Sequence, residues 1–318
     1  MNVLPEAPID FKVENSDALR SLVEVQLKHV RELLARPLET IAQSAETVRA
    51  RHPLVEALEG TERWIESPIL LTTRIEGYVV EATGLGTLID ARVHDPGLPD
   101  LIAGMVDPNQ YLHNVGVLGV AFAMDTIAGP RRPELIRQSR QGGGRIADVR
   151  VPLQGGAIVD VEAKAPKALR LPPADISPKI ARTVAENALN DAAHPLTGQL
   201  PRDRPGLVAI AAHGLPDKVQ ASVNDAAQQA IDRFGQASPN LIGLLTLNFY
   251  RRLEVLQTKD MPVEDGKRRL RRTVRLTWGN ARMLAKNRGY TGVVSFNLEE
   301  GHEPARENYD FTERDTVP

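Results

Sequence analysis

The sequence of 318 residues contains no cysteine. Disulfide bonds, zinc sites built on thiolates and cysteine nucleophiles are therefore all excluded. Any metal ion that the chain binds must take its ligands from oxygen atoms or histidine.

Aromatic residues and long apolar runs are also scarce. Phe, Trp and Tyr make up 4% of the chain, which leaves no evident platform on which single-stranded bases could stack. The longest apolar run, Val115 to Met124, is well short of a membrane span. The start, Met1 to Asp17, carries acidic residues and prolines where a secretory signal has a basic and then an apolar stretch. These features predict a cytoplasmic protein that does not interact with a membrane.

The chain also lacks a marked excess of positive or negative charge. The formal net charge is −2, so the overall balance supplies no attraction to phosphate, and any nucleic-acid surface must come from local clusters. Hydrophobic residues at 42% and charged residues at 25% are ordinary for a soluble globular protein. The chain is longer than one average domain.

The pattern of apolar residues predicts three regions: a helical N-terminal region at 1–105, a core at 106–260 and a basic C-terminal extension at 261–318. In the first region apolar residues recur at helical spacing, and Pro37 is expected to divide them into two helices. These residues are Leu19, Val23, Val30, Leu34, Ile41 and Val48. A further helix is predicted at 53–65, and the segment 84–107, rich in Gly, Pro and Asp, is predicted as loop with short pieces of structure. The apolar stripe favours core packing or a homodimer contact.

The core alternates between helical and extended patterns. Predicted helices are Pro108 to Ala128, a segment from the Ser177 cap and Pro178 to Ala193, and Asp217 to Phe234. Predicted strands are Glu134 to Arg140, Arg145 to Pro152, Ala157 to Ala165, Leu207 to Ala212 and Leu241 to Phe249. This order indicates an α/β fold with a mixed sheet. In the C-terminal extension a helix is predicted near Asn280 to Asn287 and a strand at Val293 to Asn297.

Two of the extended segments form a predicted β-hairpin with a loop at Gln154 to Gly156. Leu153 then faces Ala157, and Asp148 lies directly opposite Glu162. In the same register Arg150 faces Asp160 and Ile146 faces Lys164. The other face of the ribbon is apolar and pairs Ala147 with Ala163, Val149 with Val161 and Val151 with Val159.

The charged face of this hairpin indicates a metal site. Facing side chains lie roughly 4.5–5.5 Å apart at Cβ, and two carboxylates at that distance repel unless a cation lies between them. Carboxylate oxygens suit Mg²⁺ or Mn²⁺. Lys164, two residues beyond Glu162 on the same face, could orient or deprotonate a water, or stabilise growing negative charge. The alternative is an ordinary solvated face, with Arg150 and Asp160 as a cross-strand pair.

In its order of elements and its acidic residues, the segment 108–213 resembles the PD-(D/E)XK nuclease superfamily. The resemblance implies a restriction-endonuclease-like core that hydrolyses phosphodiester bonds with Mg²⁺. It also implies that Asp148 and Glu162 bind the metal and that Lys164 completes the catalytic group. The chain departs from the family at Ala147, where the motif has proline. It also lacks a glutamate on the first core helix, which offers only Asn109, His113, Asn114 and Asp125.

Other polar residues are weaker candidates. Asn187 and Asn190 lie on the helix that follows the lysine strand, and His213 ends the strand after it. Two basic groups could contact phosphates. One comprises Lys267, Arg268, Arg269, Arg271 and Arg272, followed by Arg275, and the other comprises Arg131, Arg132, Arg137, Arg140 and Arg145. A solvated basic helix face is the alternative for the first group.

The sequence therefore predicts a magnesium-dependent deoxyribonuclease that acts on duplex DNA. A second interpretation is a catalytically inactive nuclease-like module that binds nucleic acid or a protein partner, because the helix glutamate is missing. A third is a purely structural protein whose hairpin charges are solvated.

Overall fold

The computed structural model describes residues 13–66, 73–127, 132–137, 146–153, 156–170, 175–194, 196–262, 268–292 and 311–316. The helices are α1 (Val13–Leu33), α2 (Ala35–Ala42), α3 (Glu46–Arg49), α4 (Pro53–Glu66), α5 (Thr73–Asp90), α6 (Leu98–Gly104), α7 (Pro108–Ile127), α8 (Pro178–Ala193) and α9 (Asp217–Phe234). The strands are β1 (Glu134–Leu135), β2 (Val149–Pro152), β3 (Ile158–Lys164), β4 (Gly206–His213), β5 (Leu241–Pro262), β6 (Arg268–Lys286) and β7 (Phe311–Thr316). In this part of the chain, every helix is too short or too polar to cross a membrane.

Contacts between residues divide the chain into two compact units. One comprises residues 1–87, 251–278 and 306–318, and the other comprises 88–250 and 279–305. The predicted boundary at residue 105 falls within the second unit, and the three-part division into domains stays a prediction.

The first unit contains the predicted N-terminal helices. Val23, Leu27, Val30 and Leu34 repeat at helical spacing along α1 and its end, and all four are buried. Val48, predicted to belong to the same stripe, is 41% exposed. The break between α1 and α2 comes just before Pro37, whose missing N–H costs little in the first turn of a helix.

The prediction of a loop with short pieces of structure at 84–107 is wrong at its start, because α5 continues through it to Asp90, whereas α6 at Leu98–Gly104 is one such short piece. Glycines lower the intrinsic helix propensity of a segment, but tertiary packing can override that propensity. A Cβ on Gly86 would lie 3.0 Å from Val30 Cγ2, so the bare backbone allows α5 to approach α1 closely. A local count of glycines does not reveal such a contact.

The second unit is an α/β structure built on a mixed sheet, as predicted. Its strands lie in chain order from β1 to β6. β1 pairs with β2 and β2 with β3 in antiparallel fashion, whereas β3–β4 and β4–β5 are parallel pairs. The predicted helices α7, α8 and α9 and strand β4 are confirmed to within a residue or two. The Ser177 cap is also confirmed, since its Oγ accepts a hydrogen bond from the Ile180 amide at 3.3 Å.

Helices cover both faces of this sheet. Alternate residues of a strand point to opposite faces. Val208, Ile210 and Ala212 of β4 belong to the core cluster that includes α8 and α9. On the other face, a Cβ on Gly116 of α7 would lie 3.5 Å from the Cβ of Ala211. Most side chains on either face of β3 and β4 are therefore buried rather than solvated, with Ile158 at the start of β3 as an exposed exception.

The hairpin register is the predicted one. Val149 pairs with Val161, Arg150 with Asp160 and Val151 with Val159. The Leu153 amide donates to the Ala157 carbonyl at 2.8 Å, which closes the loop as expected. Gly156 has φ +86°, a conformation that glycine adopts without strain. The apolar face packs into the core, and the register of the charged face follows from it.

The C-terminal predictions fare less well. The helix predicted near Asn280 to Asn287 is wrong, because β6 extends to Lys286. The Asn287 side chain donates to Leu241 O at 2.7 Å and to Gly235 O at 3.1 Å, which holds this end of β6 beside β5. Strand pairing thus overrides the local helical pattern. The strand predicted at Val293 to Asn297 lies outside the described residues.

Candidate active site

Asp148 lies immediately before β2, where the antiparallel pairing with β3 stops. Its Oδ2 accepts a hydrogen bond from the Ala163 amide at 2.9 Å. Its own carbonyl accepts from the Ile136 amide at 3.0 Å. The carboxylate of Asp148 is therefore held against β3 by the backbone N–H of Ala163, which lies between Glu162 and Lys164. Strand pairing does not hold it there.

Glu162 lies inside the protein and has only one cationic contact. It is 1% exposed, and its Oε1 accepts a hydrogen bond from Lys164 Nζ at 2.8 Å. Its Oε2 is buried and accepts no hydrogen bond from a described N–H or O–H group, a feature that it shares with Asp160 Oδ2, although the latter has Arg204 Nε at 3.0 Å. An unsatisfied buried carboxylate oxygen is costly, so this atom marks a place where a ligand would be stabilising.

Lys164 is shared between two acceptors. Besides Glu162, its ammonium group contacts Gln199 Oε1, which comes from the loop after α8. The Lys164 side chain remains 17% exposed, so it connects the buried acids to solvent. The sequence predicted Lys164 but not Gln199. The loop that carries Gln199 is organised by His194, whose Nδ1 accepts from the Leu196 and Thr197 amides at 3.2 and 3.3 Å.

The surroundings of Asp148 and Glu162 raise the pKa of both acids. Burial, followed by the negative charge of Asp148, raises the pKa of Glu162 to about 8, although Lys164 opposes the shift. Asp191 adds a smaller contribution of the same sign. Burial also raises the pKa of Asp148, against the lowering effects of His113, the Ala163 hydrogen bond and Lys164. At both acids the cost of burial therefore outweighs the stabilisation that the neighbouring positive charges provide.

Asp160, two residues before Glu162 on β3, has a different environment. Arg150 Nε lies 3.4 Å and Arg204 Nε 3.0 Å from its two carboxylate oxygens. Burial raises the pKa of Asp160, and both arginines oppose that shift. The predicted pairing of Arg150 with Asp160 is therefore confirmed. The description of this face as solvated is wrong, because Asp160 and Glu162 are each 1% exposed.

A cavity of about 670 Å³ opens beside Lys164. His113 of α7 and Asp191 of α8 line it, together with Lys167 and Lys179. α7 can approach this region because Gly116 has no side chain, since a Cβ there would lie 2.5 Å from the Cβ of Ala165. Lys164 thus connects this space, which is large enough for a small molecule, to Glu162, although neither Glu162 nor Asp148 is among its lining residues.

Among the four α7 candidates, only His113 lines the cavity. Asn114 is buried and donates to Leu101 O at 2.8 Å, which is a structural role. Asp125 forms an ion pair with the fully buried Arg92. The side chain of Asn109 accepts a hydrogen bond from Lys167.

The remaining candidates also divide into residues that line the cavity and residues that do not. Asn187 lines the cavity, whereas Asn190 lines a separate shallow pocket with Arg233. Asp191, which the sequence analysis missed, lies one helical turn beyond Asn187 on the same face of α8, so the spacing could have identified it. The ring of His213 packs 5.5 Å from that of Phe249 and does not line the cavity.

Both basic groups lie partly outside the described residues. Arg268, Arg269, Arg271, Arg272 and Arg275 lie on β6, so the alternative of a basic helix is wrong, while Lys267 lies outside the described residues. In the second group, Arg132 donates to Asp95 at 3.1 Å and Arg137 is exposed. The others in that group, Arg131, Arg140 and Arg145, lie outside the described part of the chain. Contact of either group with nucleic acid stays a prediction.

Within the described residues, no three His, Asp or Glu side chains are arranged to hold a metal ion together. Comparison of the chain with models of protein families, with curated protein sequences and with solved structures found no match. The local chemistry of Asp148, Glu162 and Lys164 is therefore what indicates a function.

Proposed function

We propose that the protein is a magnesium-dependent nuclease that hydrolyses phosphodiester bonds in DNA. The observation that carries the proposal is that the buried Glu162 and the half-buried Asp148 lie side by side, where Lys164 contacts Glu162 and the charges of His113 and Lys164 act on Asp148. Buried charge that lacks a partner is destabilising, so proteins keep it mainly where it performs a function. A divalent cation and a phosphate ester are the ligands that satisfy this combination of charges.

The residues present fit a hard divalent ion. Oε2 of Glu162 is a buried carboxylate oxygen without a partner, and the neighbouring Asp148 supplies further oxygen. Mg²⁺ commonly takes one or two protein carboxylates and completes its shell with waters, so three protein ligands are not required. When bound, such an ion supplies Lewis acidity towards the phosphate and a water of lowered pKa. Asp148 and Glu162 would hold it.

Lys164 contributes in its own right. Its ammonium group contacts Glu162 and reaches the cavity wall, where it can bind a non-bridging phosphate oxygen. There it would stabilise the negative charge that develops when a water attacks the phosphorus. Gln199 restricts the orientation of the ammonium group through the contact at its carbonyl oxygen.

The order of elements also supports the proposal. Helix α7, the antiparallel strands β1 to β3, helix α8 and the parallel strand β4 follow in the order that the resemblance to PD-(D/E)XK nucleases implies. The two acids and the lysine come from the second and third of these strands or their ends. We include in the proposal that these elements form a restriction-endonuclease-like core.

A cleavage assay tests the function. Linear duplex, circular duplex and single-stranded DNA, with RNA as a further substrate, are incubated with Mg²⁺, Mn²⁺ or chelator. We expect metal-dependent cleavage of duplex DNA that Asp148→Ala and Lys164→Ala abolish. Lys218→Ala is the matched control, because Lys218 is exposed on α9 and lies outside the cavity. Cleavage that survives in a folded Lys164→Ala variant would rule out the assignment.

The second candidate function is a nuclease-like module without activity. The arrangement that favours it is the ion pair between Lys164 and Glu162, which engages the lysine before any substrate arrives. Calorimetry distinguishes the two functions. Salt-sensitive DNA binding without Mg²⁺ binding, and without cleavage, supports the inactive module.

A further inference from the structure

The cavity beside Lys164 has a cationic wall. Lys164, Lys167 and Lys179 all line it, and Asp191 is the one acid among its described lining residues. We call this space the lysine-lined cavity. Its positive side chains come from the end of β3, the turn that follows it and the first turn of α8.

Two of these lysines have no acidic partner. In the described part of the chain, no ion pair includes Lys167 or Lys179. Lys167 is held by a neutral acceptor, the side-chain oxygen of Asn109, which keeps its charge at the cavity without cancelling it. Lys179 is exposed at the second position of α8, where the helix dipole adds further positive potential. The wall is therefore suited to an anion.

Much of the remaining wall is apolar, although His113, Thr183 and Asn187 also line it. Ile180, Val184 and Ala188 lie along one face of α8, and Ala165 and Pro166 lie opposite. At about 670 Å³ the cavity lies within the usual range for sites that bind small organic molecules. Cations at one part and aliphatic side chains at another fit a ligand that carries a phosphate on an uncharged body. A nucleotide has this composition.

We propose that the lysine-lined cavity binds the terminal phosphate of a nucleic-acid strand together with its attached nucleoside. The link to cleavage depends on the proposed nuclease function. The cavity accommodates a single nucleotide, and a nucleotide within a duplex reaches such a space only by leaving the base stack, which costs free energy. A strand end avoids most of that cost. The enzyme therefore starts from strand ends that carry a phosphate monoester.

Binding of mononucleotides tests the cavity without any need for activity. Thymidine 5′-monophosphate, thymidine 3′-monophosphate and thymidine are titrated by calorimetry in the presence of chelator. We expect one of the monophosphates to bind at least tenfold more tightly than thymidine, and Lys179→Ala and Lys167→Ala each to weaken that binding about tenfold. Lys218→Ala, at the equivalent second position of α9, keeps the wild-type affinity. No binding of either monophosphate, or equal binding by Lys179→Ala, overturns the proposal.

A second assay separates this proposal from the proposed function. Linear duplexes with phosphate or hydroxyl at the 5′ or 3′ end are compared with a closed circle. We expect the cleavage rate to depend on one terminal phosphate, and Lys179→Ala to reduce that dependence more than Lys218→Ala does. Equal cleavage of the circle shows that the end-binding inference is wrong while the nuclease stands. Tight binding of a monophosphate without any cleavage supports the cavity and contradicts the nuclease.

Discussion

Strand β3 buries two acids on one face, and their surroundings differ. Asp160 and Glu162 are each 1% exposed. Asp160 lies between two guanidinium groups, those of Arg150 and Arg204. Glu162 contacts the ammonium group of Lys164, and the charges of His113 and Lys164 act on the neighbouring Asp148. The first acid is balanced by cations of the chain, whereas the second belongs to a pair with too few of them.

The difference separates a structural role from a functional one. A buried carboxylate with two cationic partners is explained by the fold alone, because the charges compensate each other. The pair of Asp148 and Glu162 is not explained in this way. At neutral pH a proton relieves the repulsion, as the pKa of about 8 for Glu162 indicates. A divalent cation would do so more completely, and the proposed function assigns it that place.

The largest expected difference is in activity. Glu162→Gln should lower Mg²⁺-dependent cleavage at least about a thousandfold, because metal coordination contributes several kcal/mol to transition-state stabilisation. Asp160→Asn should stay within a few fold of wild type, once rates are divided by the folded fraction. Initial rates on linear duplex DNA measure both. A similar loss in the two variants would remove the distinction between the acids.

The second largest expected effect is on the pH dependence of stability. Glu162 has a pKa raised from 4.5 to about 8, so its contribution to stability is fully present below about pH 4.5 and is lost as pH rises through about 8. We expect the free energy of unfolding to fall by about 3 kcal/mol across that range, less than the full shift implies, because local rearrangement admits water. Glu162→Gln should flatten the profile and become more stable than wild type at pH 8. Urea unfolding at several pH values measures it, with Glu186→Gln on the surface of α8 as the control.

Removal of one arginine beside Asp160 should make the surroundings of Asp160 resemble those of Glu162. Arg204→Met keeps the aliphatic stem but leaves Asp160 with Arg150 alone, and we expect a loss of about 2 kcal/mol at pH 7. The loss should shrink at low pH, where Asp160 can take up a proton instead. Arg202→Met, an exposed neighbour, is the matched control. An unchanged unfolding free energy for Arg204→Met at pH 7 would show that Asp160 does not depend on both guanidinium groups.

Much of the second unit was predictable because its patterns are local. Unbroken apolar strands, the Ser177 cap and the alternation in the hairpin each fix one element, and the alternation fixes the register that brings Asp148 near Glu162. The path of α5 through Gly84 and the extension of β6 were not predictable in this way. Both depend on contacts between segments far apart in sequence, such as Gly86 with Val30 and Asn287 with Leu241.

The site was predictable in part for the same reason. Glu162 and Lys164 lie on β3 and Asp148 immediately precedes the adjacent β2, so their proximity follows from one register. Gln199 and Arg204 come from the loop between α8 and β4, whose path is set by tertiary contacts rather than by periodicity. The burial of the charged face could not be predicted either, because it requires α8 and α9 to pack over the sheet.

The smallest expected effect is stabilisation by the metal itself. A ligand that binds only the folded state stabilises it by about 1 kcal/mol at a concentration about fivefold above its dissociation constant. Mg²⁺ should therefore raise the unfolding temperature of wild type by a few degrees, and more at pH 8 than at pH 6, since the ion must displace the proton shared by Asp148 and Glu162. Arg204→Met should keep this shift and Glu162→Gln should lose it. Thermal unfolding with Mg²⁺ or chelator at matched ionic strength measures the difference, and an equal shift in Glu162→Gln would place the bound ion elsewhere in the protein.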